Sequence, residues 1–177
     1  DYEKWPDQHC VKTAQLLKQN TDINFEWKVF GISEMKFHEW KTKIKSEKVN
    51  IKLMGTISET QLKDELLNAN VFIHPSYIEN SSNSVCEAQI LGVPVICANV
   101  GGLSSLVKHD ETGLLFPSND PFTLVALIKK IVNDNHYAVK LGRNAYQVAV
   151  ERHNPDKIHY DLVNVYKDII ENKTQNI

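Results

Sequence analysis

Between residues 71 and 120 the chain alternates short apolar runs with polar loops that open helices: VFIH, the loop PSYIENSSNS, VCEAQILG, PVICA, the loop NVGG, and a further helical stretch. The runs at 71–74 and 94–98 are apolar throughout, which predicts strands buried on both faces. Strands separated by helices predict a parallel sheet with right-handed crossovers. In such a sheet ligands bind where strands end and loops lead into helices. Functional residues are therefore expected in the loops that follow His74 and Ala98.

The same alternation runs through most of the chain, with strands expected at 26–30, 50–54, 71–74, 94–98 and 114–116. The fold class is α/β, a Rossmann-like parallel sheet with helices on both faces and a helical C-terminal segment. Ser58-Glu59-Thr60-Gln61 fits a capping box ahead of Leu62, Leu66 and Leu67. Asp120-Pro121 and Asn154-Pro155 each place a capping side chain before a proline at the first helical position. Beyond Pro121 three helices are expected, covering a sheet edge and a face. Residues 1–20 read as a loop and a helix with Cys10, Ala14, Leu16 and Leu17 on its apolar face. A doubly wound sheet has a strand before such a helix. The expectation is one Rossmann-like domain over 1–177, a fragment lacking its first strand.

With 20 basic and 22 acidic residues and a net charge of −2, no basic footprint for nucleic acid exists, so no nucleic-acid partner is expected. Cys10, Cys86 and Cys97 show no CxxC spacing; reduced thiols in a cytoplasmic setting are expected. No apolar run approaches the roughly 20 residues of a transmembrane helix.

Glu79 and Glu87 flank a helix start rich in capping residues, Ser81-Ser82-Asn83-Ser84. The spacing alone is weak, since Glu26/Glu34 and Glu39/Glu47 repeat it. The setting between two strands gives it meaning. A helix N-terminus offers unpaired amides and the positive end of a dipole, a ready phosphate site. Small side chains at Ser82, Asn83 and Ser84 let a diphosphate reach the backbone there, including the Val85 amide. Glu87, pulled toward the core by apolar neighbours, is placed to accept a pair of hydrogen bonds from a ribose. The bland alternatives are a first-turn glutamate favouring the helix dipole and a solvated loop residue. Gly101-Gly102 in the next loop permits close backbone approach to a ligand. Gly55 and Thr56 border a nucleobase on sheet position alone. His74 is read as a strand-end histidine satisfied by backbone, with a role beside the ligand as the alternative.

The run Pro75-Ser76, Glu79, Asn83-Ser84-Val85, Glu87-Ala88, Gly92, Pro94-Val95, Gly101-Gly102 and Glu111-Thr112-Gly113-Leu114-Leu115 resembles the donor half of a family-four retaining glycosyltransferase. That family has GT-B architecture, two Rossmann-like domains with the active site between them. The resemblance implies that Glu79 contacts donor-sugar hydroxyls near the reacting carbon and acts as the catalytic residue. It implies that Glu87 holds the ribose and that Lys4 matches a phosphate-neutralising lysine. Many members carry Phe-Gly where Ser81-Ser82 stands and Glu where Ser105 stands.

The resemblance further implies transfer of a hexose-type sugar from a nucleoside diphosphate donor, UDP- or GDP-linked, to a hydroxyl acceptor, with no cofactor and no metal. The acceptor, a glycan, lipid or small molecule, binds through an N-terminal domain absent here, so the isolated chain is expected to be inactive. The setting implied is cytoplasmic, with peripheral contact to the inner membrane face through that domain. Two rival readings stand beside it: a sugar-nucleotide epimerase of the same architecture, and a non-catalytic α/β module that binds a partner protein.

Overall fold

A computed structural model describes residues 7–34, 39 and 42–174. The described residues form five strands, β1 (Trp27–Phe30), β2 (Ile51–Gly55), β3 (Phe72–His74), β4 (Val95–Ala98) and β5 (Leu114–Phe116). Each lies within one residue of its expected bounds. The helices are α1 (Asp7–Asn20), α2 (Glu59–Leu67), α3 (Asn83–Ile90), α4 (Leu103–Leu106), α5 (Pro121–Asn133), α6 (Asn135–Arg152) and α7 (Pro155–Thr174), with a 3-10 turn at Ser46–Val49. The capping signals act as read. Ser58 and Gln61 form a reciprocal capping box on α2. Asp120 accepts from the amides of Phe122 and Thr123 at 3.1 and 2.9 Å ahead of α5. Asn154 does the same for Asp156 and Lys157 ahead of α7.

All strand pairings are parallel, but the ladders divide into two sheets, β1-β2 and β3-β4-β5, rather than the single sheet expected. Helix α1 joins them. Its Cys10, Val11 and Ala14 pack with Val49 and Ile51 beside the first sheet. Its Leu17 packs with Ile96, Leu114, Phe116 and Leu124 beside the second. Val11 is fully buried on this face and Leu16 only half-buried, so the apolar face turns slightly from the one expected.

Strand β4 lies between two neighbours and is buried at every position. Its side chains alternate, as the pleat requires. Val95 and Cys97 pack toward α2, α3 and α4; Ile96 and Ala98 pack toward α5 and α6. Each large side chain withdrawn from water here, such as Leu114, Phe116 or Leu124, contributes about 1.5–3 kcal/mol. Among the described residues strand β3 has only β4 beside it, and it is half-buried, not sealed on both faces as its composition suggested. Helix α6 lies against α3, where a Cβ on Gly142 would stand 2.1 Å from the Gly92 carbonyl oxygen. Helix α5 covers the sheet face as expected. Helix α7 departs from expectation: Ile158, Leu162, Val165 and Ile169 remain exposed, so it buries neither edge nor face. No helix among the described residues is long and apolar enough to cross a membrane.

Candidate functional site

The parallel register brings the ends of β3, β4 and β5 together, with His74 opposite Cys97 and Ala98 opposite Phe116. Three loops leave this edge and are tied to one another. The Gly102 amide donates to the Glu79 carbonyl at 3.1 Å. The Tyr77 hydroxyl donates to Asn119 Oδ1 at 2.9 Å, and the Asn99 amide to the Phe116 carbonyl at 2.7 Å. The β3 loop is thus held from two sides.

Helix α3 begins at Asn83. Ser82 is buried and is its N-cap, its hydroxyl accepting from the Val85 amide at 3.4 Å and lying 3.0 Å from the Ser84 hydroxyl. Its side chain therefore faces the helix it caps. The amides of Asn83 and Ser84 have no acceptor among the described residues, and the Asn83 side chain is exposed. These two donors are the open part of the helix end. Glu87 lies one turn further on. It is exposed between buried Cys86 and Ala88, not drawn into the core as expected, because the helical turn puts it on the opposite side from Val85 and Ala88. It has no hydrogen-bond or ion-pair partner among the described residues. No acidic residue lies in the first turn of α3, so Glu87 stands beyond the reach of a simple dipole role.

Glu79 is three-quarters buried and engaged through both oxygens. Oε1 accepts from the Asn80 amide at 2.9 Å and Oε2 lies 3.1 Å from His74 Nε2. The expectation that backbone satisfies His74 is therefore corrected, since its ring meets Glu79. The glycine pair also differs from expectation. A Cβ on Gly101 would lie 1.8 Å from the Glu79 carbonyl oxygen, and one on Gly102 would lie 1.8 Å from that of Asn80. The close approach they permit is to the protein's own Glu79 loop. Gly101 adds a φ of +50°, in the left-handed region. Gly55 ends β2 with φ +63° and open space around it. Lys4 lies outside the described residues. Two further residues escaped sequence reading. Buried Gln89 on α3 accepts from Arg152 at 2.7 Å and donates to the Leu106 carbonyl at 3.0 Å, fixing α3 against α4 and the end of α6. A polar residue on the apolar stripe Val85–Ala88 was the available signal.

The three cysteines are buried and form no disulfide, and burial pushes the Cys97 thiol up to about 12, which makes Cys97 an inert core residue. Among the described residues no three His, Cys, Asp or Glu groups are placed to hold a metal ion.

Comparison with known proteins supplies a name for this arrangement. The model of the family described as glycosyl transferases group 1 matches residues 3–148. The chain belongs to this family. As a group 1 glycosyltransferase chain it is 32% identical over 95 residues to D-inositol 3-phosphate glycosyltransferase of Streptomyces avermitilis, covering 54% of this chain and 20% of that protein. It is 31% identical over 103 residues to the capsular polysaccharide biosynthesis glycosyltransferase CapM of Staphylococcus aureus, covering 58% and 27%. It thus spans less than a third of the length of these curated relatives. Among solved structures, sucrose-phosphate synthase of Thermosynechococcus elongatus matches with a TM-score of 0.77 at 25% identity, over 97% of this chain and 43% of that one. HepE of Anabaena, solved in complex with UDP, matches with a TM-score of 0.77 at 20% identity over 93% and 46%, a likeness of fold.

Proposed function

We propose that this group 1 glycosyltransferase chain is the donor-binding half of a family-four, retaining GT-B enzyme. It transfers a hexose-type sugar from a nucleoside diphosphate to a hydroxyl acceptor held by a further N-terminal domain. The open amides of Asn83 and Ser84 carry this reading, with Glu79 on the loop before them and free Glu87 on the helix after them. The diphosphate sits on those amides, which meet the charge that grows on the leaving group when the bond to the anomeric carbon breaks. Glu87 accepts from the ribose hydroxyls. Glu79 orients the sugar and faces the positive charge developing at the anomeric carbon. Gly101 and Gly102 act through the Glu79 loop, Gly55 borders the base, and Lys4 is assigned to the phosphate by resemblance. No metal is required if amides and basic residues neutralise the diphosphate. Family membership favours transfer over epimerisation and over a partner-binding module. UDP bound to HepE makes UDP the first donor nucleotide to try, with GDP second. The enzyme is assigned to the cytoplasm, peripheral at the inner membrane face.

A thermal-shift panel of UDP, GDP, ADP and their hexose derivatives against the full chain tests this. A nucleotide at a hundredfold excess over its Kd stabilises by about 2.7 kcal/mol, or about 5–10 °C in a domain of this size. One base is expected to stand clear of the others. No shift with any of them contradicts the donor role.

A further inference from the structure

We infer that His74 is a positioning residue for this transfer, holding the Glu79 carboxylate through Nε2–H. The inference rests on the catalytic role proposed for Glu79. An ionised carboxylate only accepts, so the 3.1 Å contact requires the proton on His74 Nε2. The ring is itself held. His74 is the last residue of β3, in register with Cys97 of β4, and it stacks on Phe72 two residues earlier, with ring centroids 6.2 Å apart and planes 26° from parallel. The histidine thus transmits the rigidity of the sheet to a carboxylate that the chain places on a loop.

The second oxygen is fixed from the other side, by the Asn80 amide at 2.9 Å. A carboxylate has about four acceptor positions, two on each oxygen. One on each is used by the protein, which leaves one on each for ligand hydroxyls. The pair therefore fixes the rotation of the carboxylate and leaves a two-point acceptor for adjacent sugar hydroxyls. The Gly101-Gly102 packing holds the backbone of the same residue, so side chain and main chain of Glu79 are anchored separately.

The test is a double-mutant cycle in the full-length enzyme with its acceptor domain, on the sugar nucleotide that the UDP-, GDP- and ADP-hexose panel selects. His74→Phe keeps the ring and removes the donor. It is expected to lower kcat about tenfold to a hundredfold while leaving the Kd for the nucleoside diphosphate within about twofold. His74→Gln, whose amide nitrogen takes the place of Nε2, keeps turnover within a few-fold of the parent, whereas the shorter His74→Asn loses it. In a Glu79→Ala background His74→Phe has no further effect. Equal losses in Gln and Asn variants, or a loss that multiplies that of Glu79→Ala, overturn the inference. If His74→Phe fails to fold, the Gln and Asn pair decides. Full turnover in Glu79→Ala removes the catalytic role itself; loss in Glu79→Ala with full turnover in His74→Phe removes only the role of the histidine.

Discussion

Gly102→Ala is expected to cost the full-length enzyme about hundredfold in turnover and about 1–3 kcal/mol in stability, while nucleoside diphosphate affinity stays near that of the parent. The added methyl would sit 1.8 Å from the Asn80 carbonyl oxygen, well inside any van der Waals contact, and that oxygen is backbone. It has no rotamer to escape into, so the loop from Glu79 to Asn80 must move. Overpacking of this kind costs about 1–3 kcal/mol. A displacement of about 1 Å in a catalytic group costs about a hundredfold in rate. The amides of Asn83 and Ser84 belong to α3, whose own cap and packing do not involve Gly102. Binding and turnover should therefore separate. Gly31→Ala is the control, since a Cβ there meets nothing within 4 Å and its cost is limited to a left-handed φ, about 1–2 kcal/mol. Calorimetry, melting curves and steady-state kinetics read the three quantities. Parent turnover in Gly102→Ala would mean that the loop contact has no bearing on catalysis.

Glu87→Ala should behave in the opposite way. Glu87 is exposed and without a partner among the described residues, so stability should change by less than about 0.5 kcal/mol. Hydrogen bonds to a charged acceptor contribute about 1.5–3 kcal/mol each. Losing a ribose pair should therefore weaken UDP, or the nucleotide the panel selects, by about thirtyfold or more. Inorganic pyrophosphate, which has no ribose, should bind the parent and Glu87→Ala alike. Equal UDP affinity in both proteins would remove Glu87 from the donor site.

Much of this was legible in the sequence because its causes are local. The apolar runs, the capping box at Ser58 and the caps at Asp120 and Asn154 each act within a few residues, and all appear where expected. The helix start at Asn83 followed from Ser82 and the polar loop before it in the same way. What the sequence did not show depends on contacts between distant segments. Gly101-Gly102 looked open to a ligand, yet the space beside it is filled by carbonyls some 22 residues earlier in the chain, a meeting set by the β3-β4 pairing. The engagement of His74 with Glu79 depends on how the loop folds back over its own strand. Gln89 and Arg152 are 63 residues apart and meet only because α6 packs on α3. The split into two sheets and the exposed α7 likewise depend on which element covers which, and no local pattern encodes that.

The most direct measurement is a crystal structure of the full chain with the nucleoside diphosphate selected by the panel. The expected result places diphosphate oxygens about 2.7–3.2 Å from the amide nitrogens of Asn83 and Ser84, with the ribose hydroxyls on Glu87 and the His74–Glu79 contact intact. A diphosphate bound elsewhere, with those two amides covered by a protein side chain, would contradict it.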